Sequence, residues 1–405
     1  MQWVYLDNNA TTAPAPPVID AIDQAHRELW ANPSSVHRLG QMVRQKVELA
    51  RTQVAQLIGA REREIIFTSG GTESNNLALH GLAPPPGTPD VLVTTRIEHS
   101  AIREPAAAME QGSAVRVVYV PVDGQGQVTA AAVGAAVRQA IAERQTPGGM
   151  VLVSVQWANN ETGVIQPIAA IAQAISEVRR TVTVGTRVLL HVDATQAVGK
   201  LPVDVKAVGA DMLTLAAHKF HGPKGIGALY ARGGVRLRAQ NIGGPQERQR
   251  RGGTENTPGI IGMGVAAELA QQFLEDGDLL GALRARRDRL EAGLLAACPG
   301  AVVNSAGADQ RLWNTTNIGF PRLEAEAILL GLSERGVCAS AGAACSSGSL
   351  EPSPVLLAMG IEEPIAHGSV RFSLSRFTTD ADIDRALAIV PEVVRRLSRT
   401  LPMGV

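Results

Sequence analysis

The chain has 405 residues, of which 45% are hydrophobic and 19% are charged, which is enough for two globular domains and excludes a disordered protein. Its 38 basic and 38 acidic residues give a formal net charge of +0, so charge favours neither a nucleic-acid nor a membrane-surface partner. Three cysteines do not suggest a disulfide framework, and we see neither a signal peptide nor a membrane-spanning run, so we predict a cytoplasmic protein.

Predicted strands and helices alternate over the first 231 residues. Apolar residues at helical spacing predict a helix over 40–58, which Gly59 ends. The predicted strands lie at 64–69, 91–96, 115–120, 151–157, 187–193, 212–217 and 226–231. The predicted helices between them end near Gly81 or lie at 100–111, 129–143 and 167–178. Because several strands are apolar on both faces, we predict an α/β fold with a mostly parallel sheet covered by helices on both sides.

The character of the sequence changes near residue 250. A charged, glycine-rich segment, RQRRGGTENTPG, is followed by a helical stretch over 259–297 and then by shorter strands and helices. We therefore predict a large domain over 14–260 and a smaller α+β domain built from 1–13 and 261–405.

Polar and potentially reactive residues follow the predicted strands. They are Thr72, Glu98 and His99, Asn159 and Asn160, Asp193, and His218 and Lys219. In an open parallel α/β sheet, ligands bind outside the carboxyl ends of the strands. Residues spread over about 150 positions are therefore expected to converge on one site.

The segment SGGTESNN has the pattern of a phosphate cradle. Gly70 and Gly71 let the backbone approach an anion, and Thr72 adds a hydroxyl at the start of a helix. The alternative is an ordinary helix that is capped after a glycine turn.

Lys219 is the residue expected to carry a pyridoxal 5′-phosphate (PLP) cofactor as a Schiff base. It follows an apolar strand, where a lysine should have a lowered pKa and suit imine formation. Asp193, with Gln196 beside it, ends another strand and could keep a pyridine nitrogen protonated. The alternatives are a surface lysine and a helix-capping aspartate. The two histidines of HKFH have no third ligand at a recognisable spacing, so we predict no metal site.

Two further candidates lie near the C-terminus. Cys345 sits among small residues in CASAGAACSSGSLEPS, where it is either a nucleophile on a loop or a small hydrophobic side chain. We interpret Cys298 and Cys338 as small hydrophobic side chains and not as nucleophiles. Arg371, in SVRFSLSRFTT, suits a substrate carboxylate or, alternatively, a surface ion pair.

Together the motifs resemble those of a known family. YLDNNATT, GTESNN, EHSAI, NNETG, HVDATQAVGK, HKFHGPKGIGALY, RRGGTEN, AACSSGSLEPS and RFSLSRFTT occur in this order. The chain is similar, from about residue 4 to 385, to the cysteine desulfurases, which are class V, fold-type I PLP enzymes. Its SSGSLEPS segment is similar to the branch with the longer cysteine loop, which serves iron–sulfur assembly and tRNA thiolation.

The resemblance implies how the cofactor would be held. Lys219 would form the Schiff base, and His99 would stack on the ring. Asp193 would pair with the ring nitrogen and Gln196 with the phenolic oxygen. Lys219, once freed, or His99 would move protons.

The phosphate and the substrate have their own implied ligands. Thr72 and His218, with Gly71 beside them, would bind the phosphate. Thr254 would reach it from the other subunit of a homodimer. The substrate carboxylate would be held by Asn160, which also adjoins the cofactor, and by Arg371.

The implied reaction converts L-cysteine to L-alanine and leaves the sulfur on Cys345 as a persulfide. An acceptor or scaffold protein would then collect it for iron–sulfur cluster or thio-compound biosynthesis, and Cys345 could transiently ligate such a cluster. A selenocysteine or cystine lyase and a non-catalytic sulfur-relay scaffold are the alternatives.

The sequence departs from the family at Ala216, where many relatives have a serine that binds phosphate. One hydrogen-bond donor to the cofactor phosphate is thus missing. Either the affinity for the cofactor is lower, or another group supplies that hydrogen bond. Cys338 is an additional cysteine near the loop that carries Cys345.

Overall fold

The computed structural model describes residues 3–82, 90–112, 115–143, 149–182, 185–341 and 351–399. Its strands are β1 (Val4–Tyr5), β2 (Ile65–Thr68), β3 (Asp90–Thr95), β4 (Val115–Val120), β5 (Gly149–Gln156), β6 (Thr186–Asp193), β7 (Met212–Ala216), β8 (Gly227–Ala231), β9 (Val302–Val303), β10 (Thr315–Gly319), β11 (Val337–Cys338) and β12 (Ser369–Ser373). Its helices are α1 (Pro16–Glu28), α2 (Arg38–Leu57), α3 (Gly71–His80), α4 (Ser100–Gln111), α5 (Ala130–Ala142), α6 (Ile168–Thr181), α7 (Gln246–Gln249), α8 (Thr257–Glu275), α9 (Gly277–Ala297), α10 (Ala325–Ser333), α11 (Pro354–Ala358), α12 (Glu363–His367) and α13 (Asp380–Ser398).

Seven strands form the large sheet, in the order β2–β8–β7–β6–β5–β3–β4. The neighbours from β7 to β4 pair in parallel, whereas β8 is antiparallel to both β7 and β2. The predicted mostly parallel α/β sheet is therefore confirmed. The carboxyl ends of β3, β5, β6 and β7 lie at one edge of the sheet, and this arrangement positions the site.

Each central strand contributes to a core on both faces of the sheet. In β5, Val151, Val153 and Val155 belong to the larger core, whereas Met150 and Leu152 belong to a second core on the opposite face. All eight β5 residues are buried. This explains why the strand reads as a continuous apolar run and not as an alternating one.

The ends of the chain meet in a separate core. Val4 and Leu6 cluster there with Leu290, Val370 and other side chains of the last third of the chain. A three-stranded antiparallel sheet, β12–β10–β9, and the parallel pair β1–β11 lie in this part. The division into domains at residue 260 stays a prediction.

Candidate active site

The N-terminal segment crosses the carboxyl edge of the large sheet, and Asn9 lies at its centre. The Asn9 side chain donates to the Asn160 carbonyl oxygen (3.1 Å) and to Thr315 Oγ1 (2.9 Å). Its Oδ1 accepts from Asn314 Nδ2 at 3.0 Å. Asn9 is only 1% exposed, so these bonds fix the backbone of the segment against the strand ends.

Lys219 ends a short 3₁₀ turn that follows β7. Its Nζ donates to the carbonyl oxygens of Asn9 (2.6 Å) and Ala10 (2.9 Å). The amine is thus aimed at the strand-end edge and held by backbone acceptors that carry no formal charge.

Asp193 is the last residue of β6 and is buried. Its Oδ2 accepts from Asn75 Nδ2 at 2.7 Å, and its Oδ1 accepts from the Thr195 amide at 3.0 Å. Each carboxylate oxygen therefore has a neutral donor. Burial lowers the pKa of His99, and the charge of Asp193 partly opposes that shift, which places these two residues in one electrostatic neighbourhood.

Gln196 is buried one turn after Asp193. Its Nε2 donates to the Asn9 carbonyl oxygen at 2.8 Å, so Gln196 and Lys219 share an acceptor. Lys200 Nζ donates to Gln196 Oε1 and, at 3.3 Å, to Asn9 Oδ1. Burial lowers the pKa of Lys200 well below its usual value, and the charges of Lys219 and Arg371 lower it further.

Two histidines flank Lys219 and are neutral at pH 7. Burial lowers the pKa of His99, and Lys219 contributes to the shift. His99 caps α4, and its Nδ1 accepts from the Ala101 amide at 3.1 Å, which leaves the proton on Nε2. Burial and the nearby Lys219 also lower the pKa of His218 to about 4. His218 Nδ1 lies 3.2 Å from Thr11 Oγ1.

The predicted phosphate cradle lies at the N-terminus of α3. Gly71 and exposed Thr72 occupy the first turn, where backbone amides point out of the helix. A Cβ atom at Gly71 would lie 3.6 Å from the Ala216 methyl. Ala216 therefore borders this cradle.

Arg371 is buried in β12, with a side chain only 2% exposed. Its Nη2 pairs with Asp7 Oδ1 at 2.7 Å, and its Nη1 donates to the Asn160 carbonyl oxygen at 2.9 Å. Arg371 and Asn160, predicted together as substrate ligands, are thus in direct contact. The guanidinium that would bind a substrate carboxylate also holds Asp7.

Thr254 is exposed and lines a cavity of about 110 Å³ with Thr68 and Ser69. Its segment is held by Arg251, whose Nε donates to Glu73 Oε1 in α3 at 3.0 Å. Its predicted reach into a neighbouring subunit stays a prediction.

The predicted nucleophile Cys345, with residues 342–350 around it, lies outside the described residues. Cys298 is buried and Cys338 is half-buried, and neither forms a disulfide in the described part. Burial raises the pKa of both thiols, and Asp7 adds to the shift at Cys338. A raised pKa makes each a poor nucleophile at neutral pH.

Asn9, Asn75 and Lys200 also contact the candidate site residues, although no spacing singles them out. Asn9 lies in YLDNNATT and Lys200 in HVDATQAVGK, so membership in these motifs was the available signal.

Within the described ranges, no group of three or more histidine, cysteine or acidic side chains could hold a metal ion. No helix in those ranges is long and apolar enough to cross a membrane.

Glu98, next to His99, has a pKa that burial raises, and the effect of this shift on stability can be tested. The side chain is fully buried and accepts from Thr95 Oγ1 (2.7 Å) and the Gln156 amide (2.9 Å). Burial raises its pKa from 4.5 to about 8. Between these values the folded protein keeps a proton that the unfolded chain releases, so Glu98 makes the free energy of unfolding fall as pH rises.

We expect Glu98→Gln to remove this pH dependence. The stability of the variant relative to wild type should rise between pH 5 and 8, by at most about 1.4 kcal/mol per pH unit. Urea unfolding at several pH values measures it. Glu104→Gln is the control, because the Glu104 side chain is 67% exposed. Parallel stability curves for Glu98→Gln and wild type would contradict the raised pKa.

The residues at this edge fit PLP. Asp193 offers a buried carboxylate for the ring nitrogen, and Lys219 offers an amine at the same edge. Thr195 Oγ1 is buried without a hydrogen-bond partner in the described part of the chain, and it lies 3.2 Å from the position of a Cβ atom at Gly71. An orphaned hydroxyl beside a helix N-terminus is what a bound phosphate would satisfy.

Comparisons with known proteins agree with this chemistry. The aminotransferase class-V family model matches residues 4–386. "Cysteine desulfurase 2" of Trichormus variabilis is 48% identical over 404 residues, which cover 100% of this chain and 96% of that protein. "Cysteine desulfurase IscS" of Methanosarcina thermophila is 42% identical over 99% of this chain and 94% of that protein.

Solved structures are similar over nearly the whole chain. A "NifS-like protein" superimposes with a TM-score of 0.85 and 33% identity, over 98% of this chain and 100% of that one. A structure described as "SspA in complex with cysteine" has a TM-score of 0.74 and 31% identity, over 93% and 99% of the two chains.

Proposed function

The chain belongs to the aminotransferase class-V family, among its cysteine desulfurases, and from that premise we propose that it is a PLP-dependent enzyme that converts L-cysteine to L-alanine and transfers the sulfur to Cys345 as a persulfide. One observation carries the proposal. The amine of Lys219 and the amide of Gln196 meet at the Asn9 carbonyl oxygen, at the same sheet edge as buried Asp193.

PLP, when bound, supplies an electron sink for a carbanion at the substrate Cα. Asp193 would keep the ring nitrogen protonated, and its two neutral donors leave its charge available for this. Gln196 would donate to the phenolic oxygen, because Lys200 occupies its Oε1. Lys219 would bind the cofactor and, when released, move the proton at Cα.

Neutral His99 would stack on the ring, and the proton on its Nε2 would take part in proton transfer. Gly71, Thr72 and His218 would hold the phosphate. His218 is neutral, so it would act as a hydrogen-bond donor and not as a charge.

Arg371 and Asn160 would bind the substrate carboxylate. Because Arg371 already pairs with Asp7, the carboxylate would share the guanidinium with that side chain. Fixing the carboxylate aligns the rest of a small amino acid with the reacting groups.

The sulfur step balances without an added oxidant. The Cys345 thiolate forms a bond to the substrate sulfur as the Cβ–S bond breaks, and protonation of the remaining carbon skeleton gives alanine. A separate acceptor or scaffold protein would collect the persulfide for iron–sulfur cluster or thio-compound synthesis. The unbonded thiols of Cys298 and Cys338 suit a reducing compartment such as the cytoplasm.

The enzyme would act as a homodimer, in which exposed Thr254 serves the phosphate of the partner. Large apolar side chains are also exposed in this chain, including Trp30 (71%), Val36 (89%) and Ile242 (92%), as expected of an interface. A sedimentation mass of one chain would contradict the dimer.

The purified protein, assayed with L-cysteine, L-cystine and L-selenocysteine, tests the proposal. We expect a visible PLP absorbance, alanine from cysteine and a persulfide on the enzyme. Preference for cystine or selenocysteine without a persulfide would favour a lyase. A protein that holds no PLP and forms no alanine would instead favour a sulfur-relay scaffold.

A further inference from the structure

Three segments meet beside the phosphate cradle: the start of α3, the turn after β6 and the end of β7. A Cβ atom at Gly71 would lie 3.2 Å from Thr195 Oγ1 and 3.6 Å from the Ala216 Cβ atom. The hydroxyl of Thr195 and the methyl of Ala216 therefore both lie against the Gly71 backbone, where a side chain at residue 71 would crowd the hydroxyl.

The Thr195 hydroxyl is the unexplained group beside Gly71. Its oxygen is buried, and no described residue hydrogen-bonds to it. The residue is fixed by its own amide, which donates to Asp193 Oδ1 at 3.0 Å. A buried hydroxyl without a partner destabilises the protein unless a ligand pairs with it.

The chemistry of the group points to an anion. A threonine hydroxyl can donate one hydrogen bond, and phosphate oxygens accept strongly. Asn75 Oδ1 is a second buried orphan near Asp193, but an amide oxygen is an acceptor and cannot bind a phosphate oxygen. Thr195 is thus the orphan suited to the phosphate.

We propose that Thr195 donates its hydroxyl hydrogen to the cofactor phosphate and supplies the donor that Ala216 lacks. The inference rests on the proposed function, because it requires PLP at Lys219. If it holds, one hydroxyl at either residue 195 or residue 216 is enough to supply this hydrogen bond to the phosphate.

Four proteins test the exchange: wild type, Thr195→Val, Ala216→Ser and the double variant. Equilibrium dialysis of each holoenzyme, followed by visible absorbance, measures PLP affinity. We expect Thr195→Val to weaken binding by about 10- to 100-fold, as for loss of a hydrogen bond to a charged group. Ala216→Ser should change wild-type affinity less than about threefold but restore most of the loss in the double variant.

The phosphorus-31 spectrum of bound PLP gives a second readout, which should shift in Thr195→Val and not in Thr195→Ser. Unchanged affinity in Thr195→Val, with PLP bound to wild type, would overturn this inference alone. If that variant does not fold, a gain of tenfold or more from Ala216→Ser alone would overturn it. A wild-type protein that takes up no PLP would overturn the proposed function as well.

Discussion

Replacing Lys219 with alanine is expected to give a folded protein without covalently bound PLP and with alanine formation reduced at least about 10³-fold. The substitution removes the amine that would bind the cofactor and the group that would move the Cα proton. It also removes two hydrogen bonds, to the Asn9 and Ala10 carbonyl oxygens. Absorbance of the purified protein and alanine release from L-cysteine measure the two effects.

Lys224→Ala is the matched control for Lys219→Ala. Lys224 is exposed and lies five residues further along the same turn region. We expect this variant to keep its visible absorbance and its turnover within about twofold, as surface substitutions usually do. If Lys219→Ala kept both the absorbance and the turnover, the cofactor assignment would be wrong. Thermal unfolding of both variants excludes a general loss of structure.

The sequence was sufficient to predict which strand ends lie together at one edge of the sheet. Parallel strands bring their carboxyl ends to one edge, so His99, Asp193 and Lys219 could be grouped before any contact was known. The apolar patterns of the strands also predicted the type of sheet. A strand that is buried on both faces of the sheet has a continuous apolar run, as β5 does.

The contacts at that edge could not be predicted in the same way. Lys219 is held by the carbonyl oxygen of Asn9, 210 positions away. Every residue has a carbonyl oxygen, so no sequence pattern marks the one that a distant lysine will meet. Arg371 illustrates the same limit, because its pairing with Asp7 depends on how β12 sits beside the N-terminal segment. The sequence also did not predict that Lys200 is buried, since lysine residues usually lie at the surface.

Replacing Cys345 with alanine separates cofactor chemistry from sulfur transfer. We expect the variant to keep its bound PLP and its visible absorbance, because the implied PLP ligands lie elsewhere in the chain. Alanine formation from L-cysteine should fall at least about 10²-fold, since no thiolate remains to accept the sulfur. Mass spectrometry should find a persulfide on wild-type Cys345 and none on the variant.

Cys298→Ala and Cys338→Ala are the controls, and their environments predict a different result. Burial raises the pKa of both thiols, so neither is a good nucleophile at neutral pH. Both variants should form alanine within about threefold of wild type. Undiminished turnover in Cys345→Ala would contradict the nucleophile assignment. A persulfide found on Cys338 would move the sulfur acceptor to β11, beside Tyr5. Because Lys219→Ala should lose the absorbance and Cys345→Ala should keep it, the two variants assign the two halves of the reaction independently.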